Sequence, residues 1–158
     1  MINLSINKKV LLFGIIFTFF SSFGQSFFLG LFNPSIREEL NITHGQFGTI
    51  YAAATICSSL VLVWFGKKID EMRLFNYSLI VIGFLFFSSL FFSFINSVYF
   101  LIVAIFLMRF SGQGLMSHTS STTISRYFNK RRGKALSGIW FGLSSAEFFL
   151  PILVIFLL

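Results

Sequence analysis

The chain has 158 residues, of which 56% are hydrophobic, 20% aromatic and only 11% charged. A soluble domain of this length cannot bury so much apolar surface, so the solvent of most of the chain is lipid. The formal charge of +7 does not point to nucleic acid, because a nucleic-acid reader carries Lys and Arg on an exposed face of a soluble fold, whereas here they lie between apolar runs.

Lys8 and Lys9 precede an apolar stretch that begins like a secretory signal. It continues through Ser21, Ser22 and Gln25 to Phe32 without a small-residue cleavage site. This predicts an uncleaved first transmembrane helix over 10–32. Asn33-Pro34 then ends the helix, since a residue before proline avoids the helical region. Ser35 with Glu38 forms a capping box for a short surface helix. Thr43 with Gln46 repeats the box and opens a second span over 47–65. Asn41-Ile42-Thr43 fits a glycosylation sequon, a pattern common by chance, and takes no role. Cys57, inside the second span, reads as an inert buried thiol.

Further spans follow over 75–94, 99–125 and 135–158. Each is long enough to cross roughly 30 Å of hydrocarbon. The runs are continuous rather than alternating, which excludes strands. The expected class is all-α, a polytopic transmembrane bundle of about five spans in a single domain over 1–158.

Charge gives the orientation. Of the twelve Lys and Arg residues, Lys8, Lys9, Lys67, Lys68, Arg73, Arg126, Lys130, Arg131, Arg132 and Lys134 fall on one side. Arg37 lies opposite and Arg109 inside a span. The positive-inside rule then puts the N-terminus in the cytoplasm. The basic run from Lys130 to Lys134 reads as a topology signal at the lipid headgroups.

At 100° per residue, Thr18, Ser21, Ser22 and Gln25 share a face of the first helix, and Tyr51, Thr55 and Ser58 a face of the second. In the fourth helix Arg109, Gln113, Met116, Ser120 and Thr123 form one face, and Gly114, His118, Ser121 and Ser125 nearly the opposite one. That helix needs protein or water around it. The third, rich in Phe, Leu and Ile, reads as peripheral, its serines bonding back to their own helix carbonyls. Arg109 stands about 15 Å into the fourth span, and Glu147 is comparably deep in the fifth. Charges at such depth face a bundle interior and have a partner or a task. His118 reads as a satisfied interhelical hydrogen bond. Gly138, Gly142 and Ala146 form a small-residue groove for helix packing.

The sequence resembles the major facilitator superfamily of secondary transporters over essentially its whole length, as the first five of twelve helices. Gly66-Lys67-Lys68-Ile69-Asp70 looks like the signature between helices two and three. There the resemblance implies close helix approach at Gly66 and a conformational gate at Asp70. Glu71 and Arg73 stand where the family has a basic residue and a glycine. Arg109 with Gln113 and Gly114 is similar to the fourth-helix motif, whose arginine the family links with proton transfer, but the Gln-Gly pair comes one residue late. The stretches 23–28, 48–55, 126–128 and 132–136 look like a bacterial branch of small-solute carriers.

The expected function is secondary transport of a small organic solute; the buried arginine weakly favours an organic anion through bidentate charge-assisted bonding, with coupling or packing as its equal alternatives. Transport proceeds by alternating access, coupled to protons or another solute, in a bacterial cytoplasmic (inner) membrane. Substrate or coupling residues are expected at Arg109, Gln113, Gln25, Glu147, Ser120 and Tyr51, and gate residues at Gly66, Asp70 and Arg73. No catalytic residue, metal or cofactor is expected. The partners are the solute, the bilayer and the missing C-terminal helices or a complementary chain, since five helices make five-sixths of one transporter half. A non-transporting membrane subunit or assembly partner is the alternative. An intramembrane enzyme is disfavoured because no nucleophile has a base at helical spacing and no metal-ligand cluster occurs.

Orientation is open to direct test. Single cysteines at Thr43 and Asn129 in a Cys57→Ala background should react with impermeant thiol reagents from the outside and the cytoplasmic side respectively. Reversed labelling would overturn the orientation.

Overall fold

The structure, a computed structural model, describes residues 4–128 and 131–157. Asn129 and Lys130 of the basic loop, and Leu158 of the last span, lie outside the described residues. Those described form helices and turns. In chain order the α-helices are α1 (Leu4–Ser21), α2 (Ser26–Leu31), α3 (Asn33–Leu40), α4 (His44–Lys67), α5 (Leu74–Phe92), α6 (Val98–Met108), α7 (Ser117–Tyr127) and α8 (Arg132–Leu157). A π-helical stretch, Arg109–Met116, joins α6 to α7 without a break in the rod. Five rods are long and apolar enough to cross a membrane: Lys8–Leu31, His44–Asp70, Leu74–Phe92, Val98–Tyr127 and Arg132–Leu157. Five is the number expected. The fold is an all-α transmembrane bundle.

The first rod is not one helix. It narrows to a 3₁₀ turn at Ser22–Gly24, and Gln25 is extended (φ −81, ψ 156) before α2 begins. The polar, glycine-containing run at 21–26 explains the weakness, and neighbouring helices tolerate it because they surround it.

Helix ends follow local chemistry. Thr43 and Gln46 form the expected reciprocal capping box at the start of α4. The box at Ser35 and Glu38 does not form. The surface helix starts earlier, with Pro34 in its first turn and no side-chain cap, because proline's missing N–H costs nothing there. Asn33 therefore belongs to that helix rather than ending the one before. Asn41 closes it in the left-handed region (φ 52, ψ 45), a conformation asparagine tolerates.

The fourth rod is the most buried of the five and the second the least. α1 packs on α7 and α8, α4 on α6 and the π stretch, and α5 on those same two elements. Phe65, Phe84 and Phe110 meet edge-on at 5.3–6.1 Å between centroids, which ties α4, α5 and the fourth rod together. The serines of α5 bond back as expected, Ser88 to Phe84 and Ser89 to Leu85. Ser88 is nonetheless buried and accepts a bond from the Ser111 hydroxyl at 3.0 Å, so that face of α5 is not peripheral. Cys57 is exposed rather than buried, because α4 turns Ala54 and Ser58 inward.

Between α1 and α8 the small residue that counts is Gly142. A Cβ there would collide with the Ile15 carbonyl and the Thr18 hydroxyl. Ala146 is also buried, but Gly138 is exposed and meets nothing within 4 Å, so the groove is shorter than expected. Thr18 reaches across to the Ile139 carbonyl, and Ser120 of α7 donates to the Gly14 carbonyl at 2.9 Å.

A second close approach joins the break in the first rod to the π stretch. A Cβ on Gly112 would stand 2.5 Å from the Gly24 nitrogen and 2.8 Å from its Cα. Backbone cannot yield as a flexible side chain would. Gly112→Ala should therefore destabilise the chain by about 1–3 kcal/mol, the usual cost of overpacking. Gly138→Ala, which meets open space, should leave stability unchanged or slightly raised. Thermal unfolding of both variants in one detergent checks the contrast.

Candidate functional site

The site grows from the break in the first rod. An extended residue in mid-span leaves a backbone carbonyl without a helical partner, and in lipid such a group is costly. Arg109 supplies the donor. Its Nη1 donates to the Gly24 carbonyl at 3.1 Å and lies 3.4 Å from the Ser26 hydroxyl, while Nε donates to the Thr55 hydroxyl at 3.2 Å. The Tyr51 ring lies 5.2 Å from the guanidinium carbon, within cation–π range, and the Tyr51 hydroxyl donates to Ser26 at 2.8 Å. Arg109 is 7% exposed. Among the described residues, the ion pairs are Lys68–Glu71 and Asp70–Arg126, so no carboxylate neutralises it.

Beside this cluster lies a polar cavity of about 140 Å³, bounded by Thr55, Ser58, Leu62, Arg109, Gln113 and Gly114. The Gln113 carbonyl oxygen is buried without a partner. Arg109 and Gly114, expected on nearly opposite faces, thus share one. The π stretch is the reason. Each i→i+5 turn takes one residue more than an α-turn, so positions after Arg109 slip in phase against a 100° wheel. Ser120, expected on the Arg109 face, turns instead toward α1.

The other expected residues separate. Gln25 sits half-buried at the break, and Tyr51 belongs to the Arg109 cluster. The Ser120 hydroxyl is committed to Gly14. Glu147 is deep along α8 but exposed on its outer face, because α8 presents Gly142, Ala146 and Leu150 inward. Ser26 was missed. Only the tertiary fold places it beside Arg109, although its position at the start of a helix after an extended residue is a local signal.

Residues 14–158 match the sequence profile of the Major Facilitator Superfamily. The chain belongs to the Major Facilitator Superfamily. Comparison with curated proteins and with solved structures finds no significant match. Facilitators are membrane transporters, and the five-rod bundle agrees with part of such a fold. The Gln-Gly pair of this facilitator, one residue late against the family's fourth-helix motif, falls within the π stretch. Gln113 borders the same cavity as Arg109.

At the basic end of the bundle Asp70 pairs with Arg126, both side chains exposed. Gly66 is buried against the His118 ring, and a Cβ on it would lie 3.3 Å from two ring atoms. Arg73 is exposed at the start of α5 and takes no ion pair among the described residues. His118 does not make the expected interhelical bond, since its Nδ1 is buried without a partner.

The contact between Gly66 and His118 predicts coupling. Gly66→Leu should destabilise the chain, and adding His118→Ala should recover part of the loss. Touching residues couple by about 0.5–3 kcal/mol in double-mutant cycles. Additive unfolding free energies would show that the two do not meet.

Proposed function

We propose that this facilitator chain carries a small organic anion by alternating access, coupled to protons or to a second solute. In this reading its basic end faces the cytoplasm of a bacterial inner membrane. The observation that carries the reading is Arg109, a mid-span guanidinium with hydroxyl, carbonyl and aromatic neighbours but no carboxylate among the described residues. A charge at that depth costs a few kcal/mol on insertion scales. Neutral donors and acceptors offset part of that cost, and an anionic solute in the adjoining cavity would offset more. A carboxylate suits the planar guanidinium fork.

Gln113, with its unpartnered amide oxygen, would take a donor group of the solute or a water bound with it. Tyr51 would position the guanidinium. Gln25 at the break stays a candidate for the same path. Ser120 and Glu147 fall outside this path, the first because its hydroxyl is committed to α1, the second because it does not border the cavity. Gly66, Asp70 and Arg73 remain the proposed gate, with Arg126 as the partner of Asp70.

Radiolabelled organic acids should enter cells expressing the gene saturably, and Arg109→Ala should cut that uptake by about tenfold or more. A charge-assisted hydrogen bond contributes about 1.5–3 kcal/mol, and a factor of ten corresponds to about 1.4 kcal/mol. Arg109→Lys should recover little, because an ammonium cannot reproduce the fork. Normal uptake by the alanine variant at equal membrane abundance would reduce Arg109 to a packing residue.

A further inference from the structure

The seam between α4 and the fourth rod holds a second cavity, nearer the basic end. Gly114, His118, Thr122 and Arg126 recur every four residues and so form one stripe. Across from them stand Leu62, Gly66 and Asp70. Leu62 methyls lie 3.3 and 3.4 Å from where a Gly114 Cβ would be, Gly66 meets His118, and Asp70 meets Arg126. The cavity here has a volume of about 310 Å³ and is lined by His118, Lys67, Asp70, Thr122 and Arg126. It shares Ser59 and Leu62 with the cavity at Arg109, so the two adjoin along α4.

The lower chamber carries net positive charge. Its one carboxylate, Asp70, is already paired with Arg126, and Lys67 has no ion-pair partner among the described residues. Buried Nδ1 of His118 has no hydrogen-bond partner either. A volume near the lower end of known small-molecule sites suits a solute of a few carbon atoms.

We infer that this chamber is a second anion site, which receives the carboxylate group of the transported solute between Arg109 and the basic end, with Leu62 as the barrier between the two stations. The inference rests on the organic-anion reading of Arg109. An anionic headgroup of the surrounding lipid offers similar chemistry, so the test separates the two sources.

The test uses the 158-residue chain with Cys57→Ser and Thr122→Cys, held in phosphatidylcholine nanodiscs. An anionic methanethiosulfonate reagent should modify the cysteine faster than its cationic analogue, by roughly three- to tenfold for a local potential of one to two kT. Succinate should slow the anionic reagent saturably, and Lys67→Gln should remove most of the preference. Labelling needs no transport step, so loss of the anion-carrier reading in uptake assays and loss of this site are separate results. Equal rates for the two reagents, or a preference unchanged by Lys67→Gln, would overturn the inference. Protection by phosphatidylglycerol discs with none by succinate would overturn it too, by giving the chamber to a lipid headgroup. Should Thr122→Cys be inert, Ser59→Cys reads the same space from the opposite wall, and inertness of both would show the chamber closed to solutes.

Discussion

The Gly24 carbonyl and the Arg109 guanidinium fix the middle of this molecule. In a bilayer every backbone polar group needs a protein partner, and a rod that breaks in mid-span releases some of its own. Here the freed carbonyl is met by Arg109, the mid-span arginine of the fourth rod. The approach is possible because Gly24 and Gly112 bring the two backbones together without side chains between them. A broken helix and a π stretch would each weaken an isolated rod. Side by side they supply one another's needs, and the polar cavity opens where the regular ladders fail, as discontinuous helices do in other transporters.

Around that crossing, hydroxyls and small residues set the packing. Lipid tails are as apolar as leucine, so hydrophobicity does not drive helices together; close contact and hydrogen bonds do. Thr18, Ser21 and Ser120 are fully buried and bonded to carbonyls, two of them across to another helix. A polar stripe in a membrane helix therefore has two uses, and the wheel alone does not separate them. In the first rod the stripe from Thr18 to Ser22 packs against neighbours. In α4 the stripe at Tyr51, Thr55 and Ser58 faces the arginine and its cavity.

The same distinction marks what was legible in the sequence. The count of spans, their class, the capping box at Thr43 and the depth of Arg109 follow from hydropathy, spacing and rise per residue, which are local quantities. The phase of the fourth rod was not legible. A π turn leaves no clear trace in one sequence beyond glycines such as Gly112 and Gly114, and one added residue carries Gly114 to the Arg109 side and Ser120 away from it. The orientation of Glu147 was not legible for a different reason. Depth along a helix is read from numbering, but the direction a side chain takes depends on which face packs, and Gly142 and Ala146 decided that.

Magnitudes also bear on the proposed gate. The Asp70–Arg126 pair is exposed on both sides, and exposed pairs contribute about 0–1 kcal/mol. One such pair shifts a two-state equilibrium by less than the factor of ten that about 1.4 kcal/mol represents. It can bias a conformation but cannot hold one. A stronger element lies next to it, where Gly66 admits the His118 ring between α4 and α7 and Leu62 seats on Gly114 one turn away. These are packing contacts, and packed interfaces switch between discrete states rather than deforming by degrees. In the proposed gate the seam from Leu62 to Asp70 would act as a unit, in which the ion pair tunes the balance and the half-buried His118 ring and Leu62 side chain set the barrier.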